Sequence, residues 1–440
     1  MGSSNTQYTQ TITSNDIYAI VDCNNFYVSC ERVFDPSLKD IPVGVLSNND
    51  GCVIARSNEL KAMGVPMGAP LFEWKDRFIA NKVVVKSANF ALYQDMSERV
   101  FRSLQEFCQE IEIYSIDEAF LRINADSRRI QKLALEMKTN IYQWTGIPIS
   151  IGLANTKTLA KLANKIAKKY TENDGIYLIR DLSHPKHSKY LEHLDLYDIW
   201  GIASRIAYNL KIYNINTIAE FLKADRHLLK QEQGVFLERT WLELHGIRCY
   251  PISPNRSPKK GILCSRTFKK ALTEYDEVAK VVAKFADSAS RNLRTQGSVA
   301  SNVWVFLTTD RFTVEGRYSN SHLFRLSEPT DYTPEITKAA LTGLKKIFRH
   351  NHKYKRAGVF LDNLSPKGQI QQNFFYEHDS SADKKRTAVM SYFDKLNNLW
   401  GKGTVMFANR ILNAPQIREQ NLRSPRYTTR WEELPIIRTY

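Results

Sequence analysis

Acidic side chains at the ends of apolar runs are the first candidates for chemistry in this chain. Asp22 closes the run Tyr18-Ala19-Ile20-Val21. The adjacent pair Asp117-Glu118 lies in a second run, Ile111 to Ile123, whose odd positions are apolar apart from Ser115 and Asp117. Read as one strand, that run puts Asp117 on a core-facing parity, where an ionised carboxylate is costly unless it is paired or bound to a metal. Clustered carboxylates suit hard Mg²⁺, which takes oxygen ligands and keeps positions open for water and substrate phosphates. Two such ions, ~3.5–4 Å apart, stabilise both the attacking and the leaving oxygen of an in-line displacement. Successive strand residues face opposite ways, so Asp117 and Glu118 can share ions only near a bend or hairpin end. The plainer alternative is a solvated acid pair beside an unrelated aspartate.

A second constellation spans Asn155 to Lys169. Leu159, Leu162, Ala163, Ile166 and Ala167 recur at helical spacing and make one apolar stripe. Lys157, Lys161, Lys165 and Lys168 fall on the other side. With Asn155 or Thr156 as the cap, such a helix offers phosphates a positive N-terminus and a lysine row; otherwise the row is a solvated face. Gly152, in the strand before it, would aim the helix start at the sheet edge. Third, Asp198-Ile199-Trp200-Gly201-Ile202-Ala203-Ser204-Arg205 sits between helical stretches and reads as a helix-hairpin-helix. Backbone N–H groups around Gly201 and Ser204, with the charge of Arg205, would hold a duplex by its phosphates without reading its bases. Fourth, Phe26 and Tyr27 follow Asp22 closely enough to pack on a nucleotide sugar and base, or to be core aromatics at a strand-to-helix turn.

The elements that must position these residues alternate. Strand-like runs at 18–21, 111–123 and 148–153 and helix-like runs at 130–141 and 157–169 predict an α/β sheet layer through about residue 180. Short helices follow from Leu194 to Leu222, and 251–260, rich in Pro, Ser and Lys, reads as a linker. Strand- and helix-like segments at 262–268, 276–293, 299–308, 334–350 and 357–361 then predict a second, smaller α/β domain, with a last helical patch near 388–400. The length of 440 residues suits about three domains. With 62 Lys and Arg against 46 Asp and Glu, the chain carries +16, which suggests a polyanionic partner. Between Arg256 and Glu377, 21 basic and 11 acidic residues leave +10, more than half of that excess.

Other classes fit less well. Six cysteines at 23, 30, 52, 108, 249 and 264 form no C-x-x-C pair and read as thiols of a reducing compartment. There is no zinc spacing, Walker A or G-x-S-x-G pattern. The first sixteen residues lack the apolar core of a secretory signal, the loose myristoylation pattern at Met1–Thr6 is read as chance, and no apolar run approaches the ~20 residues of a membrane span. The expectation is a soluble cytoplasmic protein.

Taken together, Val21-Asp22-Cys23-Asn24-Asn25-Phe26-Tyr27, Ser47-Asn48-Asn49-Asp50-Gly51-Cys52-Val53-Ile54-Ala55-Arg56, Tyr114-Ser115-Ile116-Asp117-Glu118-Ala119-Phe120 and Lys157-Thr158-Leu159-Ala160-Lys161-Leu162-Ala163-Asn164 resemble the Y-family DNA polymerases. The resemblance runs from about residue 17 to Tyr440, including Ser424-Pro425-Arg426-Tyr427-Thr428-Thr429-Arg430 near the end. It implies a multidomain α/β (α+β) right hand: a disordered 1–16, a ferredoxin-like palm with small fingers over 17–190, a thumb over 191–250, the linker, a βαββαβ-like little finger over 261–377, and an extension over 378–440. It implies error-prone addition of dNTPs to a primer opposite damaged template, in the SOS DNA-damage response. By the same resemblance Asp22, Asp117 and Glu118 hold two Mg²⁺ with the Cys23 carbonyl. Phe26 packs under the nucleotide, Tyr27 is the steric gate against a ribose 2′-hydroxyl, and Lys161 meets the triphosphate. Asn58 and Lys61 stand where many members have Tyr and Arg, so Arg56 and Lys61 are taken as substitutes. Lys157, Gly201, Ser204, Arg205 and Arg266 are assigned to DNA. Gln371-Gln372-Asn373-Phe374-Phe375 is similar to a peptide that grips the sliding clamp, with Gln371, Phe374 and Phe375 as its anchors. A processed UmuD dimer and a RecA filament are the further partners implied. The competing expectations are a different palm enzyme, such as a nucleotide cyclase, and a catalytically inactive DNA-binding accessory protein.

Overall fold

The computed structural model describes residues 16–255, 257–312, 316–368, 380–401, 403–407, 420–434 and 436. The chain forms two compact units, residues 1–256 together with 420–440, and residues 257–419. The first begins β1 (Asp16–Cys23), α1 (Phe26–Phe34), β2 (Val43–Leu46), β3 (Val53–Arg56), α2 (Asn58–Ala62), α3 (Leu71–Ala80), β4 (Val84–Ser87) and α4 (Phe90–Leu104). It continues with β5 (Glu110–Ile113), β6 (Glu118–Asn124), α5 (Ser127–Thr145), β7 (Ile149–Ala154), α6 (Lys157–Lys169) and β8 (Ile176–Ile179). Five short helices follow: α7 (Ser188–Leu191), α8 (Ser204–Lys211), α9 (Ile218–Lys223), α10 (Arg226–Gln233) and α11 (Val235–Leu244).

The main sheet runs β5-β6-β1-β7-β8, so the strand carrying Asp22 is central, and β3-β2-β4 form a smaller sheet beside it. Because side chains alternate along a strand, β1 serves two cores. Ile17, Ala19 and Val21 join the buried side chains of α1, α4 and α5. Ile20 faces the other way and joins Phe120, the stripe Leu159, Leu162, Ala163 and Ile166 of α6, and the helices after it. A Cβ on Gly152 of β7 would lie 2.2 Å from the Ala160 carbonyl oxygen and 2.3 Å from the Asn164 amide. Gly152 therefore serves close helix-on-sheet approach rather than the aim of the helix start.

The second unit is β9 (Ile262–Leu272), α12 (Tyr275–Thr295), β10 (Ser298–Thr309), β11 (Ser319–Thr330), α13 (Thr333–Ile347), β12 (Tyr354–Pro366) and α14 (Ser380–Leu399). The β-α-β-β-α-β order builds an antiparallel sheet β11-β10-β12-β9. Val303, Val305 and Leu307 of β10 and Val359 and Leu361 of β12 are buried with Val278, Val281, Phe285 and Leu344 of the two helices. The expected multidomain α/β class is what the chain adopts.

Four expectations are corrected. Residues 111–123 are not one strand. The N–H groups of Tyr114 and Ser115 both donate to the Glu118 carbonyl, at 3.0 and 3.1 Å, and close a hairpin between β5 and β6, so Asp117 lies in the turn and not on a core-facing parity. The strand β11 had no sequence signal, because this edge strand is part-exposed along its length and its apolar residues do not alternate. Strand β1 starts at Asp16, inside the segment 1–16 expected to be disordered, while residues 1–15 lie outside the described residues. The stretch 378–440 is not one extension. Asp394 of α14 accepts from Nε and Nη2 of Arg294 at 2.6 and 2.9 Å within the second unit, whereas residues 420–434 return to the first. All six cysteines are free thiols. Among the described residues no helix is long and apolar enough to cross a membrane.

If close approach at Gly152 seats α6, Gly152→Ala destabilises the chain by roughly 3 kcal/mol, the upper range for overpacking against rigid neighbours. Urea unfolding of the pure protein checks this; an unchanged midpoint means that α6 moves freely away from β7.

Candidate active site

Strand pairing brings the acids to one end of the sheet. Asp22 is the register partner of Glu118 on one side and of Ser150 on the other, and the Cys23 N–H donates to the Asp117 carbonyl at 2.8 Å. Asn25 then takes a left-handed conformation, φ 48°, which turns the chain from β1 into α1. Asn is among the few non-glycine residues that tolerate it. Its side chain donates to the Asn58 side-chain oxygen at 3.0 Å and accepts from Lys61 at 2.5 Å, which ties the turn to α2.

Each carboxylate has a neighbour of its own. Asp117 accepts from the Ser115 hydroxyl at 2.6 Å, both oxygens of Glu118 accept from Lys161 Nζ at 2.9 Å, and Lys168 Nζ is ion-paired with Asp22. Burial pushes the Asp22 carboxyl up to about 7, with Glu118 and Asp117 adding to the effect and Lys168 opposing it. Among the described residues no three His, Cys, Asp or Glu side chains already form a metal cage. The donor set nevertheless fits hard divalent cations: three carboxylates and a backbone carbonyl at one sheet end, where each of Asp22 and Glu118 already holds a cationic ammonium.

Each lysine of the row is ion-paired with a carboxylate, Lys157 and Lys161 largely buried and Lys165 and Lys168 still exposed. Lys157 pairs with Glu112 at 2.5 Å, Lys161 with Glu118, Lys165 with Asp198 at 2.8 Å and Lys168 with Asp22. Lys157, assigned to DNA by sequence, is only 4% exposed and is a buried pair instead. The start of α6 is likewise taken. Thr156 caps it by accepting from the Leu159 N–H, and the buried Glu243 carboxylate of α11 accepts from the Thr158 N–H and hydroxyl at 2.9 and 3.0 Å. An acid at a helix N-terminus satisfies the same dipole that a phosphate would.

A cavity of about 730 Å³ opens beside the acids and is lined by Asp22, Cys23, Phe26, Tyr27, Arg56, Lys61, Asp117 and Lys168. Burial, then the nearby Arg56 and Lys168, holds the Lys61 ammonium below its ordinary value, with Asp22 opposing. Lys161 is absent from this lining and borders a second cavity of about 480 Å³ with Asp22, Glu118 and the 198–203 segment. Lys168 lines both. Sequence reasoning placed Lys168 in the lysine row, two helical turns beyond Lys161, but the resemblance singled out Lys161 for the triphosphate. Phe26 is buried at 4% and is both a core aromatic and a cavity wall. The Tyr27 ring stacks on Tyr93, with centroids 4.6 Å apart, and meets Phe90 edge-on at 5.7 Å.

The expected helix-hairpin-helix is reduced. A single 3-10 turn, Leu196–Asp198, precedes the hairpin, and only α8 after it is a full helix. Gly201 has φ +97°, a region that favours glycine. Ser204 and Arg205 are exposed at the start of α8. Arg266 lies half-buried on β9, opposite Ala357. The clamp residues Gln371, Phe374 and Phe375 lie outside the described residues.

Because Asp22 is easier to protonate folded than unfolded, the native state binds more protons between the ordinary 3.8 and about 7, and stability falls as pH rises through that window. In chelated buffer Asp22→Asn therefore raises the melting temperature at about pH 8, by a margin that shrinks toward about pH 4. A margin independent of pH would mean that burial does not hold this proton.

Residues 21–165 match the family model described as impB/mucB/samB family, residues 259–374 match its C-terminal domain, and residues 387–437 match a domain of unknown function. Protein UmuC of Salmonella typhimurium (strain LT2) is 38% identical over 424 residues, spanning 95% of this chain and 99% of that protein. DNA polymerase IV of Bacillus velezensis is 27% identical over 398 residues, spanning 88% and 91%. Among solved structures, the Y-family DNA polymerase chimera Dbh-Dpo4-Dbh is similar in fold, with a TM-score of 0.61 at 23% identity, covering 79% of this chain and 98% of that one.

Proposed function

The chain belongs to the impB/mucB/samB family of Y-family DNA polymerases, and from that premise we propose that it extends a primer 3′ end with dNTPs opposite damaged template, as a translesion enzyme of the SOS response. The observation that carries the reading is the pairing of Asp22 with Glu118 across β1 and β6, with Asp117 held beside Cys23, at a cavity that Arg56, Lys61 and Lys168 also line. A cyclase would need neither the excess of +10 over 256–377 nor this family membership. A catalytically inactive accessory protein would have no use for three acids at one sheet end.

Asp22, Asp117, Glu118 and the Cys23 carbonyl would hold Mg²⁺, two ions in our reading. Bound there, the ions supply a polarised α-phosphate and an acidified primer hydroxyl. The chain's own residues do the rest. Lys168, Arg56 and Lys61 face the triphosphate and neutralise it, Lys168 exchanging its carboxylate partner for phosphate oxygens. Phe26 and Tyr27 form the wall beside the sugar, and the Tyr27 ring occupies the space that a 2′-hydroxyl requires. Aligning the primer oxygen with the α-phosphorus turns a bimolecular reaction into a positioned one, which supplies a large part of the acceleration. Exposed Ser204 and Arg205 beside Gly201, together with the basic second unit, suit a duplex held by its phosphates, a mode that does not inspect base-pair shape. The proposal includes a cytoplasmic setting and, from the sequence resemblance, the processed UmuD dimer, RecA filament and sliding clamp as partners.

On primed template with Mg²⁺ and dNTPs, Asp117→Ala lowers extension by roughly 10³-fold or more while DNA retention is largely kept. Persisting extension would assign the chemistry elsewhere. Tyr27→Ala raises ribonucleotide use by roughly 10²-fold, and an unchanged sugar preference would remove the ring from that role. Lys168→Ala raises KM for dNTP more than Lys161→Ala does; the reverse order would return the triphosphate to Lys161.

A further inference from the structure

We propose that the C-terminal segment 420–434 is a positioning element for sugar selection, bracing Tyr27 through the relay Ser424, Glu31, Tyr93; this rests on reading Tyr27 as the steric gate. The segment is docked by hydrogen bonds rather than loosely laid down. The Ser87 N–H donates to the Leu422 carbonyl and the Leu422 N–H donates back to the Ser87 hydroxyl, each at 3.0 Å. Gln420 Nε2 donates to the Ala88 carbonyl at 2.8 Å, and Tyr427 stacks on Phe34 of α1 with centroids 4.9 Å apart. At its centre Asn89 Nδ2 donates to the Ser424 carbonyl, the Ser424 hydroxyl and the Pro425 carbonyl, at 3.1, 3.0 and 3.0 Å. Asn89 also caps α4, its side-chain oxygen accepting from the Leu92 N–H.

The relay runs inward from there. The Ser424 hydroxyl donates to Glu31 Oε1 at 3.0 Å, and the Tyr93 hydroxyl donates to the same oxygen at 2.7 Å. Glu31 is 1% exposed, Ser424 5% and Tyr93 fully buried. A buried carboxylate requires its donors, so Glu31 fixes the hydroxyl of Tyr93, and the Tyr93 ring is the surface on which Tyr27 stacks. The cap at Asn89 fixes the start of the helix that carries Phe90, the second ring against Tyr27. An aromatic gate discriminates only as well as it is held, because a ring that can recede admits the extra hydroxyl. Ser424 touches neither nucleotide nor cation; it acts through Tyr93.

The test is primer extension by the full chain, reading the ratio of kcat/KM for dNTP to that for rNTP. Ser424→Ala is expected to lower this ratio about tenfold, the worth of one hydrogen bond to a charged group, with dNTP use nearly unchanged. Ser424→Thr, which keeps the hydroxyl, restores the ratio. Tyr93→Phe keeps the ring but loses the donor, gives the same fall, and decides the matter if Ser424→Ala fails to fold by its melting curve. In a Tyr27→Ala background Ser424→Ala changes nothing further. Equal losses for both nucleotides, or an unchanged ratio in Ser424→Ala and Tyr93→Phe beside a shifted one in Tyr27→Ala, overturn the inference and leave the gate standing. An unchanged ratio in Tyr27→Ala itself overturns both.

Discussion

Charge compensation between one helix and one sheet end organises the site. Asp22, Asp117 and Glu118 meet where β1 and β6 pair, and burial already works against the ionisation of Asp22. A cluster of like charges in a partly buried place is unstable unless cations stand against it. Here they come from α6, whose Lys161 and Lys168 reach Glu118 and Asp22, while Lys157 and Lys165 pair with Glu112 and Asp198 outside the cluster. Lys168, the exposed one of the two, is the more displaceable, since an ammonium on a flexible stem gives up one anion for another more easily than a packed side chain moves. On the proposed reading, cations and a triphosphate would take over this balance by bringing their own opposite charges.

That balance depends on how closely α6 lies to the sheet. Gly152 supplies the space, and the apolar stripe of α6 supplies the attraction by joining a core shared with Ile20 of β1 and the short helices of 188–244. The opposite face of β1 anchors in a second core with α1, α4 and α5. Asp22 therefore leaves a strand gripped on both faces and hydrogen-bonded on both edges, which is the rigidity that the proposed metal-ion chemistry would require. The Tyr27 side of the cavity is held by different means: aromatic stacking of Tyr27 on Tyr93, and a buried hydrogen-bond relay that reaches the chain's distant C-terminal segment.

The chain divides its electrostatic labour. Around the acids, positive charge is local, and Glu118 and Asp22 are each matched by a lysine. Over 256–377 it is an excess of +10, set on a small β-α-β-β-α-β domain whose apolar side chains are spent on its own core. Unmatched charge of that kind binds a polyanion through its backbone and is weakened by salt. Matched charge near the acids is less sensitive to salt, because partly buried pairs are screened little.

By itself the sequence determined the chemistry-bearing residue types, the α/β class and the span of α6, because carboxylates on apolar runs and a helical apolar period are local patterns. It also carried the family resemblance, which rests on short contiguous motifs. Tertiary structure alone decided which charge meets which. The hairpin at 114–118 moved Asp117 off the strand parity assigned to it, since a turn closed by two N–H groups on one carbonyl leaves no periodic trace. The carboxylate of Glu243, 85 residues from Thr158, took the helix start that phosphate seemed to claim. Lys168, not Lys161, came to the cavity of Tyr27, and Ser424 came to Glu31 across 393 residues. Such pairings depend on where separate elements dock. No local spacing encodes them, because the burial that makes them strong exists only once both cores have closed.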